Sequence, residues 1–177
     1  MYLLELNNKK INEYIDVLDR QSIRLKKLIE DLVEASKAQT GNINVELEKC
    51  NLCVLVNQAI GEFSERLELR DLIVVQSLPP KDIYIMADGR RLWRVFDNLL
   101  NNIYKYAMSG TRVYIDLKVD NQKAVVIFRN ISEQPINISS EELTERFVRG
   151  DRSRNTEGSG LGLSIAKSLT EVQGGAF

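Results

Sequence analysis

The chain has 177 residues, 44% of them hydrophobic, with 24 basic against 25 acidic side chains and a net charge of −1. That is apolar material for one good core plus a small appendage, and the balanced charge excludes a global basic field of the kind that draws nucleic acid or an anionic membrane. No apolar run approaches the ~20 residues of a membrane-spanning helix, Met1-Tyr2-Leu3-Leu4 followed by Glu5 does not read as a signal peptide, and a count of zero histidines excludes His-dependent catalysis within this chain.

Residues 9 to 39 read as one long helix. Ile11, Ile15, Leu18, Ser22, Leu25, Ile29, Leu32 and Ser36 follow the 4, 3, 4, 3 spacing of an a/d heptad series. Tyr14, Val17, Leu28 and Ala35 widen the stripe, as in a helix of a four-helix bundle. The alternative is an amphipathic helix packed on its own globular domain. Thr40-Gly41 is the expected stop. Tyr2 to Leu6 are expected to be the tail of an earlier helix, with Asn7-Asn8 as the turn. The N-terminal part then looks like one helix of a bundle with a stub of its partner, as if cut from a longer molecule.

From residue 42 the pattern changes. Ile43, Val45 and Leu47 alternate with polar residues, which predicts a strand. Cys50 and Cys53 form Cys-Asn-Leu-Cys. Zinc would need a second ligand pair, which is absent, so the choice lies between a redox pair and two small apolar side chains in a reducing compartment. Asn51 is a candidate N-cap for a helix to about Arg70. Ile73-Val74-Val75 and Ile83-Tyr84-Ile85 predict short strands around Pro79-Pro80, and Asp88 can cap a helix over 89–107. After a turn at Ser109-Gly110, residues 112–119 and 123–129 predict a hairpin around Asp120-Asn121. A polar loop with a short helix near 140–147 and a last helix over 161–173 complete the pattern, and Gly174-Gly175-Ala176-Phe177 resembles the beginning of a further strand. The layout predicts an α+β sandwich, with helices on one face of a mixed sheet.

Two stretches invite a chemical reading. In the helix RVFDNLLNNIYKYA, residues 94–107, Asn98 and Asn102 are four apart and share a face, with Lys105 and Tyr106 on or beside it. Asn is a mediocre helix former. Side-chain oxygens for Mg²⁺ beside a Lys for phosphate would account for the cluster; surface polarity would account for any one Asn. In NTEGSGLGLSIAK, residues 155–167, Gly158, Gly160 and Gly162 precede an apolar helix. Glycines there suit a tight turn, or they let a phosphate approach the positive end of a helix. The stretch alone does not choose.

Taken together the motifs resemble those of sensor histidine kinases of two-component systems. NLLNNIYKYA is similar to their N box, ERFVRGDRSR (145–154) to their F box and basic ATP lid, and GSGLGLSIAK to their second glycine box, in the same order and spacing over about residues 90–173. The helix over 9–39 resembles the second helix of their dimerisation and histidine-phosphotransfer domain. The resemblance implies a partial dimerisation domain over 1–41 and a GHKL-type ATP-binding sandwich over 42–177, its last strands truncated. By matching position it implies that Asn102 ligates Mg²⁺, with Asn98 in the outer shell. Lys105 would meet phosphate and Tyr106 would pack on the nucleotide. Phe147 would anchor the lid, Arg149 and Arg154, with Arg152, would face phosphates, and Gly158, Gly160, Leu161 and Gly162 would line the phosphate end. It implies cytoplasmic location, membrane anchoring only through segments outside this chain, a homodimer, and a response regulator as partner.

Two departures qualify the resemblance. The first glycine box, usually Asp-x-Gly-x-Gly, is replaced by FRNISEQPIN, residues 128–137. Asn130 stands where the Asp would read adenine, and Ser132 and Gln134 replace the glycines. An Asn amide offers both donor and acceptor, so this reads as a variant base site with a stiffer hinge. Second, the phosphoacceptor histidine is missing, so the chain can at most bind ATP or phosphorylate a histidine-bearing helix on another chain. The competing readings are a GHKL ATPase, which carries a Glu general base where this chain has Asn98, and a non-catalytic nucleotide-binding or dimerisation module.

Overall fold

The computed structural model describes residues 2–39, 43–145 and 160–177, with side chains in the first helix for 11–34, 36 and 37, and elsewhere for all but 140 and 141. That helix, α1 (Tyr2–Gln39), is unbroken. The turn expected at Asn7-Asn8 is absent: each Asn costs a helix only about 0.7 kcal/mol against Ala, and neither Gly nor Pro stands nearby to stop it. The expected stop at Thr40-Gly41 lies outside the described residues.

Most of the apolar stripe of α1 does not pack on the rest of the chain. Tyr14 and Leu18 are both 68% exposed, and Ile11, Ile15, Leu25, Ile29 and Leu32 are exposed too. The helix meets the remainder through a buried Asp31, a half-buried Leu28 and a half-buried Glu34 instead. An exposed a/d seam favours a bundle partner over packing on its own domain.

After α1 come β1 (Glu48–Asn51), α2 (Leu52–Glu68), β2 (Ile73–Ser77), β3 (Tyr84–Ala87), α3 (Gly89–Tyr106), β4 (Arg112–Asp120), β5 (Lys123–Arg129), α4 (Ser140–Leu143) and α5 (Gly162–Glu171). The fold is α+β, as expected, but its strands divide into two sheets. β1 and β3 form an antiparallel pair, and β2, β4 and β5 form a mixed sheet in that order, β2 parallel and β5 antiparallel to β4. Alternation along β4 turns Val113, Ile115 and Leu117 inward. There they join Leu52, Val56, Ala59, Phe63 and Leu67 of α2, Val95, Leu100 and Ile103 of α3, and Ile165, Ala166 and Leu169 of α5 in one core.

Several boundaries move for local reasons. The strand expected from residue 42 does not form over 43–47, although Ile43 is buried and Val45 packs on the core as the alternation implies. Side chains take up that backbone: the Arg91 guanidinium donates to the Asn44 carbonyl, and the Glu46 N–H donates to Asp88 Oδ2 at 3.4 Å. Ladder pairing begins only at Glu48, opposite Ala87. The hairpin turn sits at Asn121-Gln122, one residue later than expected, with φ of 47° and 63°; two left-handed residues match the twist of the strands. The last helix is shorter than 161–173 at both ends, with Leu161 as its cap and a turn over 172–174. Residues 175–177 form no strand. The helix near 140 is a single turn that ends at Leu143, short of the expected range: 144 and 145 are not helical, and 146–147 lie outside the described residues.

The two predicted caps hold. Asn51 accepts from the Val54 N–H at 3.2 Å, and Asp88 accepts from the Arg91 N–H at 3.1 Å. Asp88 also ties α3 to the end of α5, its own N–H donating to Gln173 Oε1 at 2.9 Å. Burial pushes the Asp88 carboxyl up, but the N–H groups of Arg91 and Glu46 and the charges of Arg91 and Arg90 outweigh it and hold it below the ordinary aspartate range. A carboxyl lowered in the folded state contributes stability that is complete above its unfolded pKa and is lost as pH falls through its folded one. Asp88→Ala is expected to lower the unfolding free energy by about 1 kcal/mol at pH 7, measured by urea denaturation. Asp88→Asn, which keeps a capping oxygen, should retain most of that stability at neutral pH and flatten the acid dependence.

Candidate functional site

The three asparagines of α3 separate by face. Asn101 points toward α2: its Nδ2 donates to the Asp97 carbonyl at 2.8 Å and to Asp97 Oδ1 at 2.7 Å, and its Oδ1 accepts from Arg66 at 3.1 Å. Arg66 also lies over the rings of Phe63 and Tyr104, at 4.7 and 4.5 Å. Asn101 is therefore fully engaged in joining α2 to α3.

Asn98 and Asn102 lie on another face. Asn98 is 7% exposed, and its Nδ2 is buried with no hydrogen-bond partner among the described residues. An unsatisfied buried donor costs about 1–3 kcal/mol, so it calls for an acceptor such as a ligand oxygen. Asn102 is half-buried. Lys105 and Tyr106, half-buried as well, follow in the last turn of α3.

The N-terminus of α5 comes to this face. A Cβ built on Gly162, the first residue of α5, would lie 3.5 Å from Asn98 Oδ1, so the glycine leaves open the space beside that amide. Gly160 has φ of +69°, a left-handed conformation that favours glycine. Leu161, the cap residue, is buried and makes no side-chain cap. The contrast with α2 and α3 is informative, because both of those begin under a side-chain oxygen. Among the described residues no side chain caps the first N–H groups of α5, which carry the positive end of the helix dipole, beside an amide that also lacks an acceptor there. This combination suits a phosphate-bearing ligand.

The segment after β5 pairs with the end of α3. Met108 N–H donates to Ile131 O at 2.8 Å, Glu133 N–H donates to Tyr106 O at 2.9 Å, and Ala107 bridges Ser132. Asn130 thereby stands next to the strand paired with the end of α3. It is exposed, and its Nδ2 donates to Ile131 O at 3.3 Å. The sequence-predicted Phe147, Arg149, Arg152, Arg154 and Gly158 lie outside the described residues. Among the described residues no group of three His, Cys, Asp or Glu could hold a metal ion. Cys50 and Cys53 are both free, and burial pushes the Cys50 thiol up, which keeps it protonated.

Sequence reasoning missed the links behind the site. Arg94 of α3 reaches three carboxylates, Asp31 at 2.6 Å and Glu34 at 3.3 Å on α1 and Asp97 at 3.2 Å on α3. Asp97 in turn holds Asn101 and precedes Asn98. Gln173, joined to Asp88, draws the far end of α5 to the start of α3. Arg94 and its α1 partners are 60 and 63 residues apart, so no local pattern announces them.

Residues 87–177 match the family described as Histidine kinase-, DNA gyrase B-, and HSP90-like ATPase. Among curated proteins, the chain is 30% identical to the sensor histidine kinase RppB of Synechocystis sp., over 97% of this chain and 38% of that protein. It is 26% identical to the sensor histidine kinase WalK of Bacillus subtilis, over 92% of this chain and 27% of that protein. The chain thus spans about two fifths or less of these relatives. Among solved structures, full-length ShkA in complex with AMPPNP superimposes with a TM-score of 0.78 at 21% identity, over 92% of this chain and 34% of that one. The Acinetobacter baumannii histidine kinase AdeS does so with a TM-score of 0.67 at 19% identity, over 90% and 72%.

The separation of faces predicts opposite effects of identical substitutions. Asn101→Ala, which breaks the Asp97 and Arg66 bonds, should destabilise the protein by about 1–2 kcal/mol. Asn102→Ala should change stability by no more than about 0.5 kcal/mol. Thermal unfolding of the two variants without ligand makes the comparison.

Proposed function

This chain belongs to the histidine kinase-, DNA gyrase B- and HSP90-like ATPase family, and we propose that it is the ATP-binding catalytic core of a two-component sensor histidine kinase. The observation that carries the reading is the N-terminus of α5, which has no side-chain cap among the described residues, set against the buried amide nitrogen of Asn98, which has no partner among them. ATP is the substrate. Its phosphates would lie against the α5 N–H groups and Asn98, and its base would lie toward Tyr106 and Asn130.

The residues present fit a magnesium ion. Mg²⁺ takes few protein oxygens and shares the rest of its shell with phosphates and water, so one carboxamide, that of Asn102, suffices where no acidic cluster is available. When bound, the ion offsets charge on the phosphates. Asn98 orients the phosphate end, and Lys105 adds a cation that matches phosphate as a point charge. Positioning and charge neutralisation are most of what phosphoryl transfer asks of a protein. The γ-phosphoryl group would pass to a histidine on a helix of another chain, for relay to an aspartate of a response regulator. In this reading α1 belongs to the dimerisation domain, its exposed stripe joining the bundle of a homodimer. The intact protein would work on the cytoplasmic side of a membrane reached through other segments; among the described residues no helix is long and apolar enough to cross one.

Hydrolysis of ATP by this chain alone is disfavoured by Asn98, since an amide cannot act as general base toward water. The reading is tested by supplying a histidine-bearing helical domain in trans and following label from γ-labelled ATP. The expected result is Mg²⁺-dependent transfer to the histidine, lost in Asn102→Ala; label released only as free phosphate would refute it. In a parallel calorimetric titration Asn130→Ala should weaken ATP more than inorganic triphosphate, and equal weakening would remove Asn130 from the base site.

A further inference from the structure

We propose that Arg70 is a positioning residue for the base end of the nucleotide site, a role that rests on the ATP-binding reading above. Arg70 lies in the turn after α2, just before Asp71 with its φ of 53°. Its guanidinium donates to the carbonyl oxygens of Tyr104 at 2.6 Å, Lys105 at 3.1 Å and Ala107 at 3.1 Å, and to Glu133 Oε2 at 3.2 Å. Its own carbonyl accepts from the Ser109 hydroxyl at 2.6 Å.

Three of those acceptors sit at the end of α3, where helix carbonyls lack intrahelical donors and the dipole favours a cation. The fourth belongs to the segment after Asn130. One planar fork therefore fixes two things at once. It sets the end of α3, which carries Lys105 and Tyr106. Through Glu133 it also sets the segment that pairs with Tyr106–Met108 and leads back to Asn130. That segment, Asn130 to Gln134, contains no glycine, and it is held by backbone pairing on one side and the Arg70–Glu133 pair on the other. Lysine could occupy only part of this arrangement, because an ammonium is a point donor and lacks the fork.

The proposal separates the two ends of the site. Tyr106 is eight residues beyond Asn98, about 12 Å along the helix at ~1.5 Å per residue. Of the Arg70 partners only Lys105 is also assigned to the phosphate end, and Arg70 holds its backbone carbonyl, not its ammonium. Lys105 has a long flexible stem that tolerates a small shift of its backbone, whereas a stacking ring and a hydrogen-bonding amide do not.

The test combines hydrogen exchange with calorimetry on the whole chain. In Arg70→Met the Met108 and Glu133 amides should exchange about tenfold faster or more, while Val113 and Ile115 in β4 keep their protection. The same variant should bind ATP about fivefold or more weakly, with inorganic triphosphate changed by less than about twofold. Arg70→Lys should restore part of both. Unchanged exchange at Met108 and Glu133, loss of protection spread evenly through the sheet, or equal weakening of both ligands would each overturn the role. Should Arg70→Met fail to fold, Glu133→Gln at the exposed rim carries the same test: it must weaken ATP more than triphosphate, and equal effects overturn the proposal. Wild-type protein that binds neither ligand overturns the nucleotide reading and this role with it. Wild-type binding with an unaltered variant overturns the role of Arg70 alone.

Discussion

The packing of α3 against α5 is the contact on which the rest of the structure depends. Leu100 and Ile103 on one helix and Ile165, Ala166 and Leu169 on the other are buried in the shared core, and the Asp88–Gln173 bond fastens the far end. Burial of the large aliphatic side chains among them contributes roughly 1.5–3 kcal/mol each, so together they outweigh the about 1–3 kcal/mol that the buried unpaired donor of Asn98 costs. The fold can therefore hold an unsatisfied amide beside an uncapped helix terminus. The Asn98 amide lies beside Gly162 at the start of α5, and a ligand rich in acceptor oxygens would satisfy its buried donor.

Behind this seam the polar network runs to α1. Arg94 joins Asp31 and Glu34 to Asp97, and Asp97 holds Asn101, so the back of the helix that carries the site is tied to the long helix by charged groups with little access to water. Asp31 and Glu34 of α1, with the half-buried Leu28, make this junction, while the rest of its apolar stripe is exposed. The two faces of α1 differ: one docks on the ATP-binding sandwich through Asp31 and Glu34, and the other is exposed.

Local chemistry was legible in the sequence and long-range pairing was not. Asn51 and Asp88 could be read as caps because a cap acts within three residues. The alternation of Ile43 and Val45 correctly marks burial, yet it says nothing of pairing, and Arg91 and Asp88 occupy the backbone groups a strand would have used. The three asparagines of α3 look alike in one dimension. Only the arrival of Arg66, 35 residues away, shows that Asn101 is structural and sets it apart from Asn98 and Asn102 on another face. Asn7 and Asn8 mislead in the opposite sense, because weak helix propensity yields to a long uninterrupted helix. The glycine stretch was ambiguous for a physical reason: a turn and a phosphate site ask for the same residues, and the missing cap on α5 is visible only in three dimensions.

The central claim is that the face bearing Asn98 and Asn102 and the start of α5 form a working Mg²⁺–ATP site despite Asn130. Calorimetric titration of this chain with ATP, with and without Mg²⁺, tests it most directly. The account predicts saturable binding that strengthens when Mg²⁺ is present. Absence of binding in both conditions, or binding indifferent to the ion, would contradict it.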